Sequence, residues 1–162
     1  MKLRDAKQAD LPAIADIWNR EIAAGVATFT SEKKNVESLA ALLSECRGAG
    51  RGFLVADQDG ALLGFALYGP FRAGPGYVHT AEHTVYVAPS ATGRGTGRAL
   101  MEELEATARA AGVHVMVAAV SAENHAAITF HQHLGYREVA RMPEVGRKFS
   151  RWLDLVLLQK RI

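Results

Sequence analysis

The chain has 162 residues, of which 49% are hydrophobic and 22% are charged, and its formal net charge is +2. This length predicts a single domain over residues 1–162 with a core of workable size. Basic and acidic residues are interleaved, so the charge does not favour a nucleic-acid partner. No apolar run reaches the length of a membrane span and the N-terminus lacks the apolar segment of a signal peptide, so we expect no membrane association and a cytoplasmic location.

A single cysteine, Cys46, makes an internal disulfide impossible and argues against a zinc site with thiolate ligands. We predict no metal site. Cys46 lies on a predicted helix without a neighbouring histidine, which favours a packing role over a nucleophilic one.

The first half of the chain predicts three strands and two helices. In order, these are a strand at 3–6, helices at 11–22 and 35–47, and the strands of a hairpin at 53–56 and 62–68. Asp10 is the predicted N-cap of the first helix, with Pro12 in its first turn. Asp59-Gly60 predicts the hairpin turn.

The second half continues with strands and helices in alternation. In order, these are a strand at 80–87, a helix that ends at Gly112, a strand at 113–120, a helix at 124–134, and strands at 136–141 and 152–158. The strand at 113–120 is apolar at nearly every position, as expected when both faces are covered. The order β-α-α-β-β-β-α-β-α-β-β predicts a mixed α/β fold.

A glycine-rich loop joins the strand at 80–87 to the next helix, with glycines at 93, 95 and 97. Such a loop presents unpaired amides and the positive end of a helix dipole to one point, which suits a phosphate group. The spacing differs from a Walker loop, which ends in Gly-Lys-Ser/Thr, and from a Gly-x-Gly-x-x-Gly dinucleotide fingerprint. A plain tight connection is the alternative interpretation.

Five separated motifs and the element order resemble the GNAT superfamily of acetyl-CoA-dependent N-acetyltransferases, and within it the phosphinothricin and methionine sulfoximine acetyltransferase group. The motifs are Thr28-Phe29, Tyr68-Gly69-Pro70-Phe71-Arg72, the strand at 80–87, Asn124 with His131 and Leu134-Gly135-Tyr136, and the segment 146–154. The resemblance implies a mostly antiparallel sheet of about seven strands flanked by helices, with the acetyl-CoA loop after the fourth strand. It also implies a homodimer, for which the apolar strand Leu153–Leu158 offers a surface.

The resemblance implies that acetyl-CoA, the cosubstrate, is held by strand main chain, the glycine loop and one asparagine. These positions are Val85, Tyr86, Val87, Gly93, Arg94, Gly95, Thr96, Gly97, Arg98 and Asn124. The sequence departs from the superfamily pattern Gln/Arg-x-x-Gly-x-Gly/Ala at Thr92, and Arg94 and Arg98 can supply the missing charge. A helix cap alone is the alternative role for Asn124.

Glu82 and His131 are the predicted catalytic residues. An α-amine with a pKa of about 8 is mostly ammonium at neutral pH, and a partly desolvated Glu82 could remove its proton directly or through a water. The resemblance places His131 where the superfamily often has the tyrosine that protonates the leaving thiolate. The alternatives are a solvated glutamate and a buried packing histidine. His83 points to the opposite face from Glu82 by strand alternation.

Four residues are predicted to bind the acceptor, namely Glu82 and three others. Arg72 can hold an amino-acid carboxylate bidentately, and Phe29 and Phe71 can form apolar walls, although a surface arginine and core aromatics are the alternatives.

The predicted function is acetylation of the α-amine of a small amino acid or analogue by direct attack, because no cysteine or serine is positioned as a nucleophile. The alternatives are an N-acetyltransferase for protein N-termini or other small amines, and a non-catalytic acyl-CoA-binding regulator.

Overall fold

The computed structural model describes residues 1–162, in which seven strands form one sheet in the order β1-β2-β3-β4-β5-β7-β6. The strands are β1 (Lys2–Asp5), β2 (Phe53–Gln58), β3 (Ala61–Pro70), β4 (Thr80–Val87), β5 (Val115–Ser121), β6 (Arg137–Lys148) and β7 (Arg151–Arg161). The helices are α1 (Leu11–Ala24), α2 (Val36–Gly48), α3 (Thr96–Ala110) and α4 (His125–His133). Only β4 and β5 pair in parallel, which confirms the predicted α/β fold with a mostly antiparallel sheet.

Two apolar cores cover the two faces of the sheet. One core packs α1 and α2 on the sheet around Trp18 and Phe65, and the other packs α3 and α4 around Leu100. Strand β4 contributes to both, because Val85 packs against the α3/α4 core and Tyr86 against the α1/α2 core. Successive side chains of β4 therefore point into different layers.

The hairpin turn forms as predicted, and Asp10 occupies the predicted N-cap position of α1, but its side chain does not make the cap bond. Asp59 and Gly60 both have positive φ, at 55° and 86°, which is the backbone of a two-residue hairpin turn. Asp10 already has helical φ and ψ and makes no cap bond to α1. Its carboxylate instead accepts from the Arg4 guanidinium at 2.7 and 2.9 Å and from the Lys7 amide at 2.8 Å, so it ties the start of α1 to β1.

The last two strands are longer than predicted and are separated only by Phe149 and Ser150. A bulge lies within β6, where the pairing with β7 shifts between Met142 and Gly146. Glu144 in the bulge has a φ of 53°, and its amide donates to the Asp154 carboxylate at 2.8 Å. Bulges bend a strand and interrupt its alternation, which is why the sequence pattern ends before β6 does.

The dimer surface predicted on the strand Leu153–Leu158 stays a prediction, and of its apolar residues only Leu155 and Leu157 keep partial exposure. β7 lies inside the sheet between β5 and β6, and Leu153, Val156 and Leu158 are buried in the chain's own core. The large exposed apolar side chains near this end of the chain lie on β6, the following turn and the start of β7. They are Val139, Met142, Val145, Phe149 and Trp152.

Cys46 is buried in the α1/α2 core, and this burial raises the pKa of its thiol. The packing role predicted for it is confirmed. None of the helices combines the length and the apolar character needed to cross a membrane.

Candidate active site

The cavity that contains most of the predicted site residues opens where β4 and β5 separate. Residues Thr80–Glu82 of β4 pair with Val115–Val117 of β5, and the two strands pair nowhere else. In contrast, β4 stays paired with β3 as far as Val87. Beyond Glu82 the side of β4 that faces β5 has no strand partner. A cavity of about 720 Å³ occupies the gap, with Ala118–Ser121 of β5 on its opposite wall.

The unpaired edge of β4 presents alternate amides to this cavity. The amide of Ala88 donates to the Leu63 carbonyl of β3 at 2.8 Å. Because the direction of the N–H alternates along an antiparallel strand, the Tyr86 amide also points to β3, and those of Val85 and Val87 point into the gap. The gap can therefore accept an extended polar chain that pairs with β4 as a further strand would.

The glycine loop and the start of α3 form one end of the cavity. Gly93 and Gly95 have φ values of 74° and 81°, and α3 begins at the residue after Gly95. The amides of Thr96, Gly97 and Arg98 are the first of the helix and have no intrahelical partners. These amides form the positive end of the helix dipole and lie beside the cavity. Unpaired amides at a helix N-terminus are suited to bind a pyrophosphate.

Gly97 also needs to be small. A Cβ atom at this position would lie 3.3 Å from the Phe130 ring of α4 and 3.5 Å from Val87. Glycine therefore lets α3 approach α4 and β4 closely where the cavity narrows between them.

All but one of the ten predicted acetyl-CoA contacts line this cavity. Arg94 is the exception, because its guanidinium turns back and donates to the Ser90 carbonyl at 3.3 Å. Asn124 lines the cavity and also caps α4, accepting from the Ala127 amide at 3.1 Å. Its cap uses the side-chain oxygen, so the side-chain NH2 group stays available to a ligand.

Glu82 lines the cavity at the end of β4 away from the glycine loop, and Phe29 and Glu21 also line the cavity. We call this the acceptor end, because the acceptor amine is predicted to bind beside Glu82. Burial raises the pKa of the Glu82 carboxyl group, and its side chain makes no hydrogen bond or ion pair that would offset this effect. A carboxylate with a raised pKa at the end of a cavity has the properties of a general base.

His131 and His83 form a stacked pair on the face of β4 opposite to Glu82. Their ring centroids lie 5.0 Å apart with planes inclined by 21°, and both rings meet the Tyr136 ring edge to face. Both histidines are buried and line the cavity. The predicted alternation is confirmed, since His83 packs with the α3/α4 layer whereas Glu82 borders the α1/α2 loop.

The hydrogen bonding of His131 defines its resting proton position. Its Nδ1 lies 2.7 Å from the Ala127 carbonyl, which can only accept, so Nδ1 carries the hydrogen. Burial lowers the pKa of both rings, that of His83 to about 3, so both are neutral at pH 7. The Nε2 atom of His131 is buried without a partner and is therefore a proton acceptor. It can act as an acid only after it has taken up a proton.

Phe71 and Arg72, two of the predicted acceptor contacts, are not brought into this cavity. The β3–β4 pairing continues past Glu82 to Pro70 and Ala81, and the Phe71 amide donates to the Thr80 carbonyl. Each step moves the chain away from the open part of β4. The exposed Arg72 guanidinium lies 5.5 Å from the centre of the Tyr77 ring. Within one chain, Phe29 is the predicted aromatic wall that reaches the cavity.

Sequence reasoning missed Ser121, Phe130 and Glu21 as cavity residues. Ser121 follows the apolar run of β5, and its buried hydroxyl has no hydrogen-bond partner. A polar residue at the carboxyl end of a buried strand is a usable signal, because binding sites in α/β sheets gather there. No comparable signal marks Glu21 or Phe130, which lie on amphipathic helices.

Comparison with known proteins gives relatives over nearly the whole chain. L-amino acid N-acyltransferase MnaT of Escherichia coli (strain K12) is 40% identical, with 98% of this chain and 92% of the relative aligned. L-methionine sulfoximine/L-methionine sulfone acetyltransferase of Salmonella typhimurium is 38% identical, over 98% and 93%. Phosphinothricin N-acetyltransferase of Alcaligenes faecalis is 34% identical, over 98% and 81%.

Two solved structures are similar to this fold throughout. A ribosomal-protein-alanine N-acetyltransferase from Brucella melitensis has a TM-score of 0.97 and 39% identity, with all of both chains covered. The acetyltransferase yncA from Salmonella typhimurium, solved with its cofactor acetyl-CoA, has a TM-score of 0.96 and 37% identity over 99% and 93% of the chains. Residues 13–136 match the Acetyltransferase (GNAT) family. The predicted resemblance is confirmed: the chain belongs to the GNAT family of acetyltransferases.

Proposed function

We propose that this protein transfers the acetyl group of acetyl-CoA to the α-amine of a small amino acid or analogue of the methionine sulfoximine, methionine sulfone or phosphinothricin type. One observation carries the proposal: an unpaired strand edge leads from the amides at the start of α3 to Glu82. The names of three relatives at 34–40% identity support the acceptor class.

The chain's own groups divide the binding of acetyl-CoA between them. The amides of the glycine loop and of the first turn of α3 hold the pyrophosphate, and the edge of β4 pairs with the pantetheine amides. The Val85 amide, which points into the gap, donates to the thioester oxygen as negative charge develops there. Arg98, in the first turn of α3, is the charged side chain that borders this end of the cavity, since Arg94 turns away.

Proton transfer is shared by two residues on opposite faces of the sheet, Glu82 and His131. Glu82 removes the proton from the acceptor ammonium, directly or through a water, and so frees the amine for attack on the thioester carbon. The Nε2 atom of His131 takes the second proton as the new C–N bond forms and gives it to the departing sulfur. No acetyl-enzyme is formed, because Ser121 has no hydrogen-bonded base to activate it and Cys46 is buried in the other core.

Release of free thiol from acetyl-CoA in the presence of an acceptor panel tests this function. The panel contains free amino acids, methionine sulfoximine, methionine sulfone, phosphinothricin, the matching amines without a carboxylate, and short peptides that begin with alanine. We expect turnover with the free amino acids or analogues. The name of the Brucella structure favours protein N-termini as the second candidate, and turnover confined to the peptides would establish it. Acetyl-CoA binding without turnover on any acceptor would indicate a regulator.

The carboxylate contact of Arg72 remains a prediction. In one chain its guanidinium is exposed outside the cavity, so it reaches an acceptor only through movement of the 71–79 loop or from a second subunit. We expect Arg72→Ala to raise the KM for the amino acid by about tenfold and to leave the KM for acetyl-CoA unchanged, as for loss of a charged hydrogen bond. An unchanged KM for the amino acid would remove Arg72 from the site.

We further propose that the protein is a homodimer and works in the cytoplasm, where its one thiol needs no oxidising partner. The exposed apolar side chains of β6 and the adjoining turn, at the edge of the sheet, are the surface that a second copy would cover. Trp152 is 57% exposed at this surface. We expect Trp152→Glu to lower the mass measured by light scattering from that of a dimer to that of a monomer.

A further inference from the structure

The acceptor wall of the cavity is a loop without regular structure. Residues 25–35 connect α1 to α2, and Ala27, Thr28 and Phe29 of this loop line the cavity near Glu82. A loop of this kind loses conformational entropy when it is ordered, so other contacts must hold it in place. Asn19 of α1 holds the last part of the loop through two hydrogen bonds with the Lys34 backbone. The contacts to the first part come from β6, which lies more than a hundred residues later in the chain.

Lys148 of β6 fastens the first part of this loop. Its side chain is 6% exposed, and its ammonium group donates to the carbonyls of Ile22 and Gly25 at 2.7 Å and of Thr28 at 2.9 Å. These bonds use all three donors of the ammonium group. Ile22 and Gly25 are at the C-terminal end of α1, where the helix dipole favours a positive charge. Lys148 thus joins the end of α1, the loop and β6 at one point.

Gly146 of β6 determines where the Phe29 ring can lie. A Cβ atom at Gly146 would overlap the Cδ2 and Cε2 atoms of that ring, so the ring rests against the bare backbone of β6. Gly146 and Lys148 are both buried, whereas Val145 and Arg147 are exposed, so the first two share the face of β6 that meets the loop. Any side chain at 146 would displace Phe29.

We propose that Gly146 and Lys148 are positioning residues that fix the Phe29 wall and thereby select which acceptor side chains fit beside Glu82. Neither residue lines the cavity, and both act through the 25–30 segment. The Phe29 ring presents an apolar face, which suits the side chain of an apolar or thioether-like amino acid. This inference rests on the proposed function for the identity of the acceptor, but the order of the loop can be measured without turnover.

A double-mutant cycle between Gly146→Ala and Phe29→Ala tests the first half of the inference. We expect Gly146→Ala to change the acceptor KM by about fivefold or more, with a different order of preference among short and long amino acids, while the KM for acetyl-CoA stays within about twofold. In the Phe29→Ala background, adding Gly146→Ala should change the acceptor KM by less than about twofold. Gly48→Ala is the matched control, because nothing lies within 4 Å of a Cβ atom there. Normal acceptor kinetics in folded Gly146→Ala, or fully additive effects in the cycle, would overturn the inference.

Hydrogen exchange of Lys148 variants tests the second half. We expect Lys148→Met, which keeps the side-chain length and removes the donors, to speed exchange of the amides in 25–30 by at least about tenfold while the amides of α3 stay protected. Lys148→Arg keeps the charge and should restore part of the protection. Unchanged exchange in 25–30 would refute the clamp. A wild-type protein that releases no thiol with any acceptor would refute the proposed function instead, and the exchange measurements would still decide whether Lys148 holds the loop.

Discussion

The two ends of the cavity are built in different ways. At the acetyl-CoA end, the ligand-facing groups are mainly backbone amides supplied by one stretch of chain, residues 85–98, and these need no particular side chain. At the acceptor end, the wall is a loop that is held by Lys148, whose hydrogen-bond partners lie 120 to 126 residues earlier. We therefore expect acetyl-CoA binding at the first end to tolerate the change at Thr92 and the outward turn of Arg94. The second end can change its selectivity through a few side chains while acetyl-CoA binding is retained.

The strongest test of this comparison is at Glu82, the predicted base at the acceptor end. Glu82→Gln keeps the shape and removes the base, so we expect turnover at neutral pH to fall by about a hundredfold or more. Turnover should recover in part as the pH approaches the pKa of the acceptor amine. Because burial raises the pKa of Glu82, the wild-type rate should decline on acidification at a higher pH than an ordinary carboxylate would give.

Steady-state kinetics from pH 5 to 9 measure both effects. Glu37→Gln, on the exposed first turn of α2, is the control and should behave as the wild type does. If folded Glu82→Gln kept wild-type turnover and a wild-type pH profile, Glu82 would be a structural glutamate and would not remove the proton from the acceptor.

The next test concerns His83, which is buried in the cavity wall against His131 and Tyr136. Its folded pKa of about 3 is below its value of about 6.5 in an unfolded chain, so below pH 6.5 the unfolded state binds a proton that the folded state does not. Stability conferred by the neutral ring is therefore complete above pH 6.5 and is lost as the pH falls toward 3. The loss approaches about 1.4 kcal/mol per pH unit for one such group.

Urea unfolding at pH 7, 6 and 5 gives this slope directly. We expect His83→Leu to reduce the loss of unfolding free energy per pH unit by about 1 kcal/mol. Part of the loss should remain, because His131 and the carboxylates still contribute. His125→Gln changes an exposed histidine on α4 and should leave the slope as it is. An unaltered slope in His83→Leu would mean that the His83 ring takes up its proton in the folded protein at the same pH as in the unfolded chain.

The sequence predicts the acetyl-CoA end well because its determinants are local. The bounds of β4, a glycine loop followed by a helix, and the cap by Asn124 follow from neighbouring residues, and the structure has each of them. The predicted loop includes Gly97, which the structure places in the first turn of α3. Side-chain alternation also places His83 and Glu82 on opposite faces. That His131 approaches from the face of His83 depends on how α4 packs, and no local pattern contains that information.

The acceptor end could not be predicted to the same depth because its determinants are distant in sequence. A motif that runs continuously through Tyr68 and Arg72 suggests one site, but the β3–β4 ladder carries Arg72 away from the cavity. The bulge in β6 interrupts the alternation of side chains, so the sequence pattern predicts only the part of the strand before the bulge. Gly146 and Lys148 appear in the sequence only as parts of a family motif, and the reason for each residue becomes visible when β6 meets the 25–30 segment.

The smallest expected effect separates backbone from side chain within the acetyl-CoA end itself. Gly95 has a φ of 81° and its Cβ position is open, so Gly95→Val acts through backbone strain and through the bulk it adds beside the phosphates. We expect the KM for acetyl-CoA to rise by about tenfold, whereas Arg94→Ala should raise it by less than about twofold because the guanidinium binds its own loop.

Gly60→Val provides the matched control: Gly60 has a φ of 86° and open space around it, but it lies in the β2–β3 turn away from the cavity. It should lose similar stability and keep the acetyl-CoA KM of the wild type. If Gly60→Val and Gly95→Val shifted that KM equally, general destabilisation would explain both, and if Arg94→Ala shifted it most, the cosubstrate would be held by side-chain charge instead of by backbone amides.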